Sequence, residues 1–206
     1  MQHSPAILIA DAQALDFLNS VATPVDVPVD WLEDGEGLLS WLQQARLVPA
    51  PTLEHMRTRS SPAELNKAAK QARNLREWFR GFVQEHRGRP LSRQHLKQLA
   101  PLNRLLEHDE TFTQIAPATS HNGSALALQV MRKWNSAEAL LLPIAEAIAL
   151  FVCTEDFTYV KACEGPVCTL LFADRSRRRT RRWCSMAICG NRAKQAAHRH
   201  RLKANR

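Results

Sequence analysis

Apolar residues recur at spacings of three and four along several stretches of the chain, and each such stretch predicts a helix with one buried face. Over residues 11–22 the inward set is Ala14, Leu15, Leu18 and Val21, with Asp16 and Asn19 on the other side. Leu38, Leu39, Trp41 and Leu42 mark a second short helix over 37–46, edged by Gln43 and Gln44. Between them, residues 23–28 hold two prolines and alternating valines, which predicts extended chain or loop. The longest pattern begins at Ser61. There Ser-Pro-Ala-Glu combines an N-cap serine, a proline at the first helical position and a glutamate placed to close a capping box. Leu65, Ala68, Ala69, Ala72, Leu75, Phe79, Phe82 and Val83 then continue one stripe as far as Gly88, a helix of roughly 25 residues. Ser92 opens a further helix with Leu96, Leu99, Leu102, Leu105 and Leu106 inward and a break at Pro101. Ser136 caps one over 137–151 that is apolar nearly all round and therefore central to a core.

Two stretches follow a different period. Residues 111–115 and 125–130 are rich in strand-forming types and are separated by Pro117, Asn122 and Gly123, which predicts a β-hairpin. A second hairpin is expected near the C-terminus, with 169–172 and 181–183 as strands and 174–180 as the turn. The last helix, over 193–200, has good helix formers and hardly any apolar surface. The fold class expected is mainly α with small β elements: a helical N-terminal domain containing a β-hairpin over 1–155, and, over 156–206, where cysteines pair as Cys163-x4-Cys168 and Cys184-x4-Cys189, a C-terminal treble-clef-like zinc finger of hairpin plus basic helix.

Charge divides the chain at the same place. Residues 161–206 hold 13 Lys and Arg against Glu164 and Asp174, a balance of +11, so the remainder nets −3 within a total of +8. A basic surface confined to one end points to a local polyanion, with nucleic acid ahead of an anionic membrane surface or a contact with the net-negative part of the same chain. Cysteines explain how so small a unit could fold. They stand as Cys163-x4-Cys168, fifteen residues, then Cys184-x4-Cys189, two matched pairs of the kind that hold a tetrahedral Zn²⁺; disulfides are the competing reading. About 45 residues cannot bury enough apolar surface to fold unaided, so a metal staple is expected. Gly190 would allow the backbone close to the metal, and Asn191 would cap the knuckle. Cys153, at the end of an apolar helix, reads as a small buried hydrophobe.

Several classes are disfavoured. The N-terminal stretch has no basic residue ahead of its apolar ones, unlike a signal peptide. The apolar run 139–153 is interrupted by Pro143 and Glu146 and is short for a bilayer. A cytoplasmic protein without a membrane partner is expected. A closed four-thiolate shell leaves zinc no open position for water, Gly35-Glu36-Gly37 lacks the third glycine of a phosphate loop, and no histidine spacing fits a metalloprotease. No enzymatic activity and no catalytic residue is expected.

The sequence Arg-Arg-Trp-Cys-Ser-Met over 181–186, followed by Cys-Gly-Asn-Arg-Ala-Lys over 189–194, resembles the CGNR zinc finger. Leu-Asp-Phe-Leu-Asn-Ser over 15–20 and Gly-Leu-Leu-Ser-Trp-Leu over 37–42 resemble the ABATE domain, which precedes this finger in bacterial proteins described as stress-induced transcription regulators. The resemblance implies one structural Zn²⁺ and DNA-binding regulation. Candidate zinc ligands are Cys163, Cys168, Cys184 and Cys189. Candidate nucleic-acid contacts are Arg175, Arg177, Arg178, Arg179, Arg181, Arg182, Arg192, Lys194, Arg199 and Arg201, with duplex DNA ahead of RNA. Asp16, Asn19 and Arg76 are candidates for a pocket that senses a small-molecule effector, and the helical domain is a candidate for homodimerisation. The alternative is an RNA- or protein-binding module in which zinc serves only folding.

Overall fold

A computed structural model of the chain describes residues 5–23, 28–118 and 125–204. Most of segment 23–28 and the turn around Asn122 and Gly123 lie outside the described residues. The first helix, α1, covers Gln13–Leu18 and buries Ala14, Leu15, Phe17 and Leu18. It is shorter than its apolar pattern because the chain leaves at Asn19 into a two-residue strand, β1 (Val21–Ala22), paired antiparallel with β2 (Val29–Asp30). Helix α2 (Gly35–Gln44) starts at an Asp34 cap whose side chain accepts from the Gly37 N–H. Helix α3 (Ala50–Arg59) has no counterpart in the sequence reading. It buries only Leu53 and Met56, too sparse a stripe to show a period.

Helix α4 (Pro62–His86) is the spine. Its predicted capping box is present, with Ser61 and Glu64 satisfying each other's backbone N–H groups, and its small residues Ala68, Ala69 and Ala72 let neighbouring elements approach. The approach of α2 is closest at Gly35, where a Cβ would lie 2.4 Å from Leu65 Cβ. The Gly35 N–H is taken by Asn66 Oδ1 at 2.8 Å.

The helix expected from Ser92 divides into a 3-10 segment, Arg93–Leu99, and α5 (Ala100–Leu106), because Pro101 can only occupy a first helical turn. The first hairpin forms as expected from β3 (Thr111–Pro117) and β4 (Leu126–Arg132). The last apolar run is likewise a 3-10 turn, Ala137–Leu141, followed by α6 (Leu142–Thr154) with Pro143 at its start. Taken together, Ala137–Thr154 is long and apolar enough to cross a membrane by length and composition, against expectation, yet 56% of it is buried inside the fold. Leu150 and Cys153 lie on its exposed side, so Cys153 is not a core residue.

The second hairpin is shifted by one strand. β5 (Val160–Ala162) pairs with β6 (Leu171–Ala173), and the first cysteine pair sits in the connection between them. Residues 181–183, expected as the second strand, are irregular, because β6 already has β5 on one edge and the N-terminal segment on the other: the Ala173 N–H donates to the Ala10 carbonyl at 2.9 Å. Leu171, Phe172 and Ala173 are buried in the same apolar core as Phe17, Phe79 and Phe151. Phe157 bridges the two parts, packed on Phe151 at 5.2 Å and Phe82 at 5.9 Å between ring centroids. A π-helical turn, Met186–Gly190, leads into the last helix, α7 (Asn191–Ala204).

Candidate functional site: a four-cysteine centre at the foot of a basic helix

Two separate turns bring the cysteines together. The Cys163 N–H donates to the Leu170 carbonyl at 2.9 Å, and the Cys168 N–H donates to the Gly165 carbonyl at 3.1 Å, which closes the first knuckle. The π turn then carries Cys184 and Cys189 to the same point. All four sulfurs lie within 4.8 Å of one another. Cys184 Sγ is 3.7 Å from Cys168 Sγ and 3.6 Å from Cys189 Sγ. A regular tetrahedron with Zn–S near 2.3 Å has edges of about 3.8 Å, so the donor set fits Zn²⁺ in both type and size. Backbone N–H groups of Gly165 and Cys184 point at Cys163 Sγ from 3.4 and 3.3 Å, the arrangement that favours a thiolate.

Without a cation Cys168, Cys184 and Cys189 compete for negative charge. The hydrogen bond from Cys184 brings the Cys168 thiol down to about 5. Cys184 is pushed up, first by serving as that donor and then by burial, and burial with its neighbours lifts Cys189 to about 11. Cys168 forms a thiolate readily, whereas Cys184 and Cys189 need a cation to do so, which is what a bound Zn²⁺ supplies. The glycine that fits the sulfur cluster is Gly165, where a Cβ would sit 3.2 Å from Cys189 Sγ. Gly190 instead makes room for Met186, whose Sδ would be 2.8 Å from an added Cβ. Asn191 caps the turn as expected, its Nδ2 donating to the Ala187 carbonyl at 3.2 Å.

Around the centre, the arginines differ in what they do. Arg181 turns inward: its guanidinium lies 4.3 Å from the Phe172 ring centroid, donates to the Trp183 and Ile9 carbonyls at 2.9 and 3.1 Å, and also binds the Cys184 carbonyl and the Asp11 carboxylate. Arg179 lies over Tyr159 at 4.5 Å and donates to the Asp174 carbonyl. Arg175 pairs with Glu155 and Arg182 with Glu164, at 2.5 and 2.6 Å, and Arg182 also covers Trp183. Arg177 and Arg178 are exposed, as are Arg192, Lys194, Arg199 and Arg201 on α7. A buried acid organises the turn. Asp174 accepts from Lys161 Nζ at 2.7 Å, from the Ser176 N–H and hydroxyl, and from the Arg181 N–H. Burial alone would raise its carboxyl, but these donors outweigh it and bring the group down to about 2. Sequence reasoning missed this role, although a single acid inside an arginine run was the available signal.

The three candidate pocket residues are not brought to one place. Asn19 is buried and grips β6 through both ends of its amide, its Nδ2 donating to the Leu171 carbonyl at 2.8 Å and its Oδ1 accepting from the Leu171 N–H at 3.0 Å. Arg76 is buried in a fork on Asp30, at 2.8 and 2.7 Å, and donates to Ser20 Oγ. Asp16 lines an open cavity of about 390 Å³ with Leu8, Asp11, Leu150 and Arg175. Its carboxylate accepts from the Ala10 N–H, yet burial raises it to about 6.

Residues 11–155 match the ABATE family model, described as "Putative stress-induced transcription regulator". The chain belongs to the ABATE family. Its remaining part matches the CGNR zinc finger over 159–202, so the four cysteines of this ABATE protein are a zinc-finger ligand set holding one structural Zn²⁺. Neither family is of an enzyme type. No curated protein matches the chain.

Proposed function

We propose that this ABATE protein is a cytoplasmic, non-enzymatic DNA-binding regulator, in which 156–206 read nucleic acid and 1–155 act as the effector or dimerisation part. The observation that supports this reading is α7. The helix leaves the zinc centre at Asn191, and of its described side chains only Ala193 is half-buried while the rest are exposed. At about 1.5 Å per residue it is about 21 Å long, and it fits a major groove about 12 Å wide. Four thiolates around Zn²⁺ leave a net negative charge at the positive end of its dipole, which offsets the otherwise unfavourable placement of Arg192 and Lys194 in the first turn. Duplex DNA is favoured over single-stranded RNA because the aromatic residues of 156–206 are poor stacking platforms: Phe157 and Phe172 are buried, Tyr159 lies beneath Arg179 and Trp183 beneath Arg182. Self-association through the helical part would place two fingers on one duplex, and an effector of that part would meet the open cavity beside Asp16.

Six of the exposed basic side chains, Arg177, Arg178, Arg192, Lys194, Arg199 and Arg201, set the test. If about six phosphates are neutralised, log K falls with log salt at a slope near −5. Fluorescence anisotropy with a labelled duplex over a salt series measures it, and binding indifferent to salt overturns the reading. A second reading, zinc for folding and an RNA or protein partner, is favoured by the internal contacts of Arg175, Arg179, Arg181 and Arg182. Equal or tighter binding of structured RNA in the same titration selects it.

A further inference from the structure

We propose that the β3–β4 ribbon is the surface through which this chain associates with a second copy of itself, each laying the same face on the other about a two-fold axis. In an antiparallel pair, residues directly opposite share a side, so Thr113 with Val130, Ile115 with Leu128 and Pro117 with Leu126 form one face. That face is apolar and open to solvent. Ile115 and Leu128 are each 72% exposed, Val130 70% and Leu126 60%, and Phe112 on the reverse side is 42% exposed. Among the described residues β3 and β4 form a sheet of two with no third strand, and a ribbon of two strands is marginal in water without further packing.

The chemistry selects the occupant. Proteins that must keep an open strand pair single place charges on it, yet the 19 residues from Thr113 to Met131 contain no Asp, Glu, Lys or Arg. Such a surface has nothing to draw an anionic lipid, a nucleic acid or a charged partner. It is complementary to an equally uncharged apolar ribbon, and its own copy is one. Charges at the foot of the ribbon are already neutralised: Arg132 by Asp109 and Glu146 at 2.6 and 2.8 Å, Lys133 by Glu110 at 2.9 Å. Two copies can therefore approach without repulsion there. The area also suffices. The six exposed side chains of that one face, Thr113, Ile115, Pro117, Leu126, Leu128 and Val130, at on the order of 80 Å² each offer about 500 Å² per copy, and two copies reach the roughly 1,000 Å² that a specific interface needs. Isologous pairing closes after two copies, so the association stops at a dimer rather than a fibre.

This inference gives a surface to the self-association named above and is independent of DNA. The test is sedimentation velocity of the full zinc-loaded chain at micromolar concentration without nucleic acid. The wild type is expected to sediment as a dimer. The double variant Ile115→Lys with Leu128→Lys is expected to halve in mass while keeping its zinc content and thermal midpoint. As a second arm, Leu128→Lys and Leu128→Asp chains are each expected to be monomeric alone and to dimerise when mixed. A monomeric wild type, a double variant that stays dimeric, or a mixture that fails to pair overturns the proposal. A wild-type monomer that still binds duplex DNA with the predicted salt slope would overturn this interface and leave the DNA reading standing.

Discussion

Asp16 lines an open cavity, yet its surroundings disfavour its charge. It stands in the first turn of α1 and holds the Ala10 N–H at 2.9 Å, while burial, and more weakly Asp11, work against its charge. Its folded value of about 6 lies above the roughly 3.9 of an unfolded aspartate. Between these values the native state binds more protons than the unfolded one, so stability falls as pH rises from about 4 to about 6 and stays lower above that. Asp16→Asn keeps an acceptor for Ala10 and removes the charge. The variant is expected to be more stable than the wild type by about 1 to 2 kcal/mol at pH 7, with the difference vanishing near pH 4; thermal melts across that range check it. Asp174 has the opposite sign. Its carboxyl is held at about 2, so its contribution is present above pH 4 and is lost as pH falls toward 2. Burial dominates one site and donors the other, a distinction invisible in the residue names.

At the scale of elements, basic residues that look alike in the sequence divide into two groups by what lies beside them. α7 presents Lys194 and Arg199 to solvent, whereas Arg181, in the turn beneath β6, binds Ile9, Trp183 and Phe172. Lys194→Ala and Arg199→Ala are expected each to reduce the salt slope of binding by about 1 with no change in melting temperature. Arg181→Ala is expected to cost about 1 to 3 kcal/mol of stability through its unsatisfied partners and to leave the slope unchanged in the folded fraction. Paired measurement of anisotropy and thermal melting separates the two classes, and a reversed pattern would refute the assignment. Elements with a strong local signature were legible: α4 with its capping box, the β3–β4 hairpin, and the helix that follows Cys189. α3 was not legible, because two buried residues in ten make no period, and neither was the β5–β6 pairing, because which strand β6 chooses depends on edges supplied by distant segments.

For the molecule as a whole, the centre of interest is how the finger is joined to the helices. Asn19 grips Leu171, Ala10 pairs with Ala173, and Phe172 lies in the common core. The sequence-based expectation of a self-contained finger leads to selective loss of 161–206 when a ligand is removed. The shared core leads elsewhere: Cys184→Ser, or chelation of Zn²⁺, is expected to lower the melting temperature of the whole chain in a single transition, monitored by helical circular dichroism. Two transitions, with the larger one unchanged by chelation, would show that the parts fold separately. By itself the sequence determined the metal centre, the polarity of charge along the chain and the main helices, since cysteine spacing, charge and a 3.6-residue period are local properties. Only the tertiary structure decided which arginines face solvent, that Asn19 and Arg76 hold backbone and carboxylate inside the fold, and that the β3–β4 ribbon leaves an apolar face open. Burial and hydrogen-bond partnership are set by residues far apart in the chain, and no local pattern records them.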